Sequence, residues 1–465
     1  MTKNLRAIAM LFVAIVMLGT YSCSRPQEEI PIPEQIEKAA KKCGLKVSDI
    51  EELTVAEGER WEKYTSKYRF FVEQPIDHTN PEIGTFRQRV VLMHCGFADP
   101  MLLVTEGYTS RGSSKRYSNE LSDLFNTNII EVEHRYFSES IPFMQNDSTI
   151  TDDSLNWDYM TAKNAAADLH NVNRLFKKIY KGKWIATGIS KGGQTTMFYT
   201  TYYPEDIDIS VPYVGPLCFG VEDGRHEPFL ANAVGTKEQR DKILAFQTEV
   251  LKRRKSMEPL LLDFSNKHNY TFRAPFSEIY DLCVLEFPFA FWQWGRNTND
   301  IPDPKKATDK ELLDCLLSAS GPDYFAIGNA SAPFFVQAAK ELGYYGYDTE
   351  PFKKYLTIES AKGYLSKFFV PAQEFVFDDY LSNDIKNFLE TTTSKMLFVY
   401  GEYDPWSSVM PEAPVKNEEL KKEGKGRETM CLFIDPKGSH RARIKTLPDS
   451  LQKAAIGTIE RWLAE

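Results

Sequence analysis

The sequence predicts an α/β fold: a mostly parallel sheet covered by helices, with a helical cap inserted before the last strands. Three observations carry this expectation. Between about residues 68 and 216, short apolar runs of strand length alternate with helix-length stretches. From roughly residue 217 to 391 that rhythm stops, and helical stretches separated by Gly, Pro and Asn take over while aromatic residues become dense. At Met396 a strand pattern returns and a closing helix follows.

Taken in order, the N-terminus has the layout of an export signal. Lys3 and Arg6 precede the apolar run Ala7 to Leu18, and small and polar residues lead to Cys23. The run is too short to span a bilayer comfortably. Ser22-Cys23 with Leu18 upstream resembles a bacterial lipoprotein cleavage box, so Cys23 is the expected lipid attachment point, and the periplasm, outer membrane or cell surface the expected location. Ser24 to Glu34 is rich in Pro and Glu and reads as a tether. The expected organisation is signal 1–23, tether and N-terminal helix 24–60, sheet domain 61–216, cap 217–391 and the rest of the sheet domain 392–465.

Expected strands are Tyr68 to Val72, Phe86 to His94, Met101 to Val104, Asn128 to Val132, Trp184 to Thr187 and Ile209 to Val214, then Met396 to Tyr400 and Met430 to Ile434. Tyr159 to Tyr180 places apolar residues at helical spacing, and a helix from Ser190 toward Tyr203 is stopped by Pro204. Within the cap, Arg240 to Arg253, Phe276 to Glu286, Asp309 to Leu317 and Pro333 to Leu342 read as helices, and Leu451 to Leu463 closes the chain. The run Lys416 to Glu428 mixes both charge signs and reads as a solvated loop between two strands.

Composition narrows the function class. A net charge of −9 and a pI near 5.5 argue against a nucleic-acid partner. Once Cys23 is set aside, Cys43, Cys95, Cys218, Cys283, Cys315 and Cys431 remain, either paired or as buried free thiols. No His/Cys cluster has zinc-ligand spacing, so no metal and no cofactor is expected.

Gly188-Ile189-Ser190-Lys191-Gly192 is a G-x-S-x-G string lying where an apolar strand gives way to a helix. A serine hydroxyl is a weak nucleophile until a base takes its proton, and the glycines permit the tight turn that exposes it to one. An α/β-type hydrolase needs its acid and then its base after the serine, each on a loop leaving a late strand. Asp404 follows Met396 to Tyr400, and His440 follows Met430 to Ile434. Glu402 is the competing acid. His78, His94, His134, His170, His226 and His268 lack a late-strand loop and a preceding acid. The Lys191 amide and the loop at Gly107 are the expected donors to the oxyanion of acyl transfer.

Several landmarks occur collinearly: Gln74-Pro-Ile-Asp-His78, Thr85-Phe-Arg-Gln-Arg89, Thr105-Glu-Gly-Tyr108, Glu133-His-Arg-Tyr136, Gly188-Ile-Ser-Lys-Gly-Gly193, Gly401-Glu-Tyr-Asp-Pro-Trp406 and Gly438-Ser-His440. From about residue 60 onward the chain resembles the prolyl tri- and tetrapeptidyl aminopeptidase family of secreted bacterial serine peptidases. Pro-X carboxypeptidase and dipeptidyl peptidase II are more distant relatives. The resemblance implies an α/β-hydrolase sheet with a helical cap, cleaving short peptides after proline from a free N-terminus. Lys191 departs from the tyrosine of the carboxypeptidase branch, and the shorter chain implies an altered cap.

Proline needs flat apolar walls, which Phe287 to Trp294 offers through Trp292 and Trp294. An exopeptidase also needs a counter-charge for the substrate ammonium. Glu341, in a segment that resembles a cap motif of the relatives, is the first candidate, with Glu106 and Glu286 behind it, while Arg135 is expected to brace the site by pairing with an acid. A carboxylic-ester hydrolase and a non-catalytic surface-binding lipoprotein remain the alternatives, because the same triad serves ester chemistry.

Overall fold

The computed structural model describes residues 30–144, 153–370 and 374–465, so residues 1–23, Cys23 and the first part of the tether lie outside the described residues. A nine-stranded sheet has the order β1-β2-β3-β5-β4-β6-β7-β8-β9. The strands are β1 (Val47–Glu52), β2 (Ser66–Pro75), β3 (Thr85–His94), β4 (Met101–Thr105), β5 (Asn128–Val132), β6 (Trp184–Ile189), β7 (Ile209–Tyr213), β8 (Lys395–Gly401) and β9 (Met430–Asp435). Pairing is antiparallel from β1 to β5 through β2 and β3, and parallel from β5 through β4, β6, β7 and β8 to β9. This is the α/β-hydrolase fold.

Every residue of β4, β5 and β7 is buried, which is why these strands read as continuous apolar runs rather than alternating ones. Helix Ala162–Phe176 starts at Thr161, whose side chain accepts from the Asn164 N–H, and it buries Ala165, Ala166, Leu169 and Val172 on the sheet. Helices Lys191–Tyr202 and Asp449–Ala464 join the same core.

Helices between β7 and β8 enclose a second core, in which Phe246, Leu261, Tyr280, Phe287, Phe325 and Phe335 are buried. Helix Phe276–Gln293 runs beyond its expected end at Glu286, straight through Pro288. A mid-helix proline costs roughly 3 kcal/mol. The buried side chains on this helix, Phe287, Phe289, Phe291 and Trp292 among them, outweigh that cost. Helix Arg254–Lys267 was not expected and also carries an internal proline, Pro259.

Three further expectations are corrected. Ile32, Pro33 and Glu34, read as tether, begin the helix Ile32–Cys43, which buries Ile36, Ala39 and Ala40. The first part of the charged run, Lys416 to Lys422, belongs to the helix Glu412–Lys422, supported by an i,i+4 pair of Glu412 with Lys416, and only Glu423 to Glu428 is the expected loop. Strand β1 escaped notice because four of its six residues are Ser, Asp or Glu. The six cysteines of the described residues are free thiols.

One buried ion pair ties the sheet together behind the loops. Arg135, wholly buried, donates from Nε and Nη2 to both oxygens of Asp168 at 2.7 and 2.8 Å, and from Nη1 to the carbonyls of Ile76 and Tyr159. Burial alone would raise the Asp168 pKa, but Arg135 and His78 outweigh it and hold the carboxyl below its usual range. A depressed carboxyl stabilises the fold above the unfolded pKa and ceases to do so as pH falls through the folded value. Asp168→Asn strands a buried guanidinium and should cost about 3 to 5 kcal/mol in urea unfolding at neutral pH. The gap between variant and parent should narrow below about pH 4.

Candidate active site

Strands β4, β6, β8 and β9 point the same way, so the loops that follow them leave one edge of the sheet. Open α/β sheets place their ligands outside that carboxyl edge. Ser190 follows β6, Asp404 and Trp406 follow β8, His440 follows β9, and Glu106, Gly107 and Tyr108 follow β4.

Ser190 sits at φ 60°, ψ −120°, a backbone conformation costly for any residue with a Cβ. Its N–H donates to the Tyr213 carbonyl at 2.9 Å, and its carbonyl accepts from the Gln194 N–H at 2.9 Å, starting the helix Lys191–Tyr202. Only glycine fits the flanks of this elbow. A Cβ on Gly188 would lie 2.2 Å from the Gly192 oxygen, and one on Gly193 would lie 2.5 Å from the Tyr213 oxygen. The Thr105 hydroxyl stitches β4 to the same turn, approaching Thr196 Oγ1 at 2.7 Å and the Gly192 carbonyl at 3.2 Å.

Asp404 is wholly buried and caps the 3₁₀ turn Pro405–Val409, its Oδ1 accepting from the Trp406 N–H at 3.1 Å. Its Oδ2 accepts from His440 Nδ1 at 2.7 Å. An ionised carboxylate can only accept, so this bond puts the neutral ring's proton on Nδ1 and leaves Nε2 as a base. His440 is 5 % exposed, and its Nε2 has no hydrogen-bond partner among the described residues. The His440 backbone N–H donates to the Gln293 carbonyl at 3.0 Å, so the last turn of the cap helix holds the loop that carries the base. Glu402, the competing acid, is exposed and accepts from the Lys437 N–H at 2.8 Å instead.

Gly107 packs directly on the start of the serine's helix: a Cβ there would lie 2.7 Å from Gly192 N and 2.8 Å from the Lys191 carbonyl carbon. The Lys191 side chain is buried, with Nζ 5.9 Å from the Tyr108 ring and 5.6 Å from the Phe137 ring. Burial drives its pKa well down, against the pull of Glu341 and Glu106. Sequence reasoning passed over Tyr108, in the loop after β4, whose ring is wedged edge-on between Phe137 at 5.7 Å and the cap residue Phe334 at 5.6 Å. It also passed over Trp406, whose ring centroid is 6.5 Å from that of His440. Their positions inside the Thr105-Glu-Gly-Tyr108 and Asp404-Pro-Trp406 strings were the only signal.

The expected substrate residues divide. Trp294 is 44 % exposed and stands perpendicular to the His440 ring at 6.1 Å, at the open side of the base. Trp292 is buried edge-on against Tyr403 at 5.5 Å and belongs to the wall behind it. Glu341 serves the scaffold: its Oε1 accepts from the Ala162 N–H at 2.6 Å and Gln337 Nε2 at 2.8 Å, and its Oε2 from Tyr380. Burial, followed by the charge of the neighbouring Glu131, raises the Glu106 pKa well above the carboxylate range. Glu286 lies deep in the cap among tyrosines. Gly107→Ala should push the β4 loop off the serine's helix and slow phosphonylation of Ser190 by a fluorophosphonate about 100-fold. A rate within twofold of the parent would show that this close approach is dispensable.

The family profile described as PS-10 peptidase S37 matches residues 46–458. The prolyl tri/tetrapeptidyl aminopeptidase of Streptomyces mobaraensis is 27% identical over 479 residues, covering 99% of this chain and 92% of that protein. The probable serine protease EDA2 of Arabidopsis thaliana is 27% identical over 158 residues, covering 30% of this chain and 31% of that one. Among solved structures, the cell wall degrading esterase LipA of Xanthomonas oryzae aligns with a TM-score of 0.40 at 13% identity, covering 90% of this chain and 98% of that chain. With the profile spanning the sheet strands and the cap alike, the chain belongs to the PS-10 peptidase S37 family and is a serine peptidase.

Proposed function

We propose that Ser190, His440 and Asp404 act as a catalytic triad that releases short peptides from a free N-terminus by cleavage after proline. The observation that carries this reading is the buried His440 ring, tied to Asp404 through Nδ1 and, among the described residues, unpartnered at Nε2, on the sheet edge that also presents Ser190. The name of the Streptomyces relative supports the substrate class. Flat rings at Trp294 and Trp406 beside the base suit a proline.

In this mechanism His440 Nε2 takes the Ser190 proton as Oγ attacks the proline carbonyl. Asp404 steadies the imidazolium without taking the proton. The Lys191 amide and the Gly107 loop donate to the tetrahedral oxyanion, a contribution of about 3 to 4 kcal/mol per donor in comparable enzymes. His440 then protonates the departing amine, and water hydrolyses the acyl-enzyme by the same proton path in reverse. No cofactor takes part in these steps. Residues 1–23 and Cys23 complete the reading as export signal and lipid attachment point, on the order of charged, apolar and small residues.

A proline-containing tripeptide p-nitroanilide should be hydrolysed, and a matched p-nitrophenyl ester alone should not account for turnover. Ser190→Ala should abolish both hydrolysis and fluorophosphonate labelling. Asp404→Asn should lower kcat about 10⁴-fold, because the ring tautomer is then wrong. Turnover of the ester only would reject the peptide reading. Palmitate incorporation in cells should disappear in Cys23→Ala.

A further inference from the structure

The open side of the base carries a cation. Trp294, 44 % exposed, stands perpendicular to the His440 ring at 6.1 Å, and the Arg441 guanidinium lies over the Trp294 ring with its Cζ 5.8 Å from the centroid. Arg441 is exposed, and among the described residues no carboxylate pairs with it. Its neighbour Arg443 is taken up by the fold instead, donating from Nη1 to the carbonyls of Ala442 at 2.6 Å and His440 at 3.3 Å. Arg89, Arg135, Arg225 and Arg254 each pair with a buried acid.

The loop that presents Arg441 is fixed against the cap. The His440 N–H donates to the Gln293 carbonyl at 3.0 Å, and the Arg441 N–H donates to Ser439 Oγ at 3.3 Å. That hydroxyl lies so close to Gly295, at φ 64°, that a Cβ there would be 2.9 Å from it. Trp294 and Arg441 are therefore held as a pair by the turn that follows the cap helix. A guanidinium resting on an indole face keeps its in-plane N–H donors free for a planar anion.

The two rings beside the base face different surroundings. Trp406 is 5 % exposed and packs in the cap core, whereas Trp294 opens to solvent, as does Ile189 next to Ser190, at 44 %. In the proposed cleavage the departing amine takes its proton from His440 Nε2, so the leaving fragment starts within hydrogen-bond reach of that nitrogen and runs out past the open side of the ring. An extended peptide advances about 3.3 to 3.6 Å per residue, so a fragment of one or two residues ends beside the Trp294 ring.

We propose that Arg441, seated on Trp294, binds the C-terminal carboxylate of the leaving fragment, so that the peptidase favours short substrates ending one or two residues after the proline. The inference goes beyond the proposed cleavage and rests on it. Guanidinium and carboxylate fit each other through two parallel N–H···O bonds. Because this pair forms in contact with solvent, its gain is modest and salt screens it.

The test compares kcat/KM for Ala-Ala-Pro-Ala and Ala-Ala-Pro-Ala-Ala, each with a free C-terminal carboxylate and as the C-terminal amide, in the full chain and in Arg441→Gln. Release of Ala-Ala-Pro is read by mass. Expected in the parent is a preference for the free acid of about fivefold at the better of the two lengths, falling to near one in about 1 M salt. Arg441→Gln should bring the ratio near one at low salt, and Arg441→Lys should keep part of it. A parent with no preference for the free acid at either length overturns the proposal, and so does an Arg441→Gln variant that keeps the parent's ratio, including one that loses activity equally on all four peptides. General damage leaves the ratio unmoved, and fluorophosphonate labelling of Ser190 reports on the variant's fold. Failure of the underlying reading is seen elsewhere: Ser190 unlabelled in the parent, or peptides with alanine in place of proline cleaved equally well.

Discussion

Ser190 is held in a backbone conformation that costs of order 1 to 3 kcal/mol, and the surrounding architecture is arranged to sustain it. The strand behind it supplies Gly188, the helix ahead supplies Gly192 and Gly193, and the neighbouring β4 loop supplies Gly107, each at a spacing where a methyl group would meet backbone. Three elements of the sheet edge therefore close on the serine's turn. Parallel strands are what make that convergence possible, since the loops after β4, β6, β8 and β9 all emerge on one side.

The cap is an integral part of this arrangement. Its longest helix ends in the carbonyl that accepts from the His440 N–H, and its residue Phe334 wedges the ring of Tyr108 beside Ser190. Trp406, two residues past Asp404, belongs to the cap's core rather than the sheet's. The hydrophobic cores therefore meet at the loops of the site, and packing in one is felt by the side chains of the other. Burial also decides the charges here: Lys191 and His134 are both driven well below their ordinary pKa, largely because water is excluded from behind the serine.

The sheet was legible because buried parallel strands leave continuous apolar runs, as at Met101–Thr105 and Asn128–Val132. That Ser190, Asp404 and His440 lie on loops leaving one edge of the sheet was legible for a related reason, since each sits just past such a run. His440 bonds to Asp404, and not to Glu402, because Asp404 is buried as the cap of the turn Pro405–Val409 while Glu402 is exposed and accepts from the Lys437 N–H. The cap resisted for a different cause. Pro288 and Pro259 look like helix ends to local reasoning, while tertiary burial carries both helices through. Carboxylates were harder still: Glu341, Glu106 and Glu286 look equivalent in sequence, and only their partners separate a helix-capping acid, a carboxyl pair and an acid among tyrosines.

The continuity of the cap helix through Pro288 gives it the character of a ruler. Glu286 and Gln293 stand seven residues apart on one rod, and at 1.5 Å per residue the rod fixes about 10 Å between Glu286 and the turn that carries the imidazole. Adding or removing one helical turn between them would move the Gln293 carbonyl, and the His440 loop hung from it, by about 5.4 Å relative to Glu286.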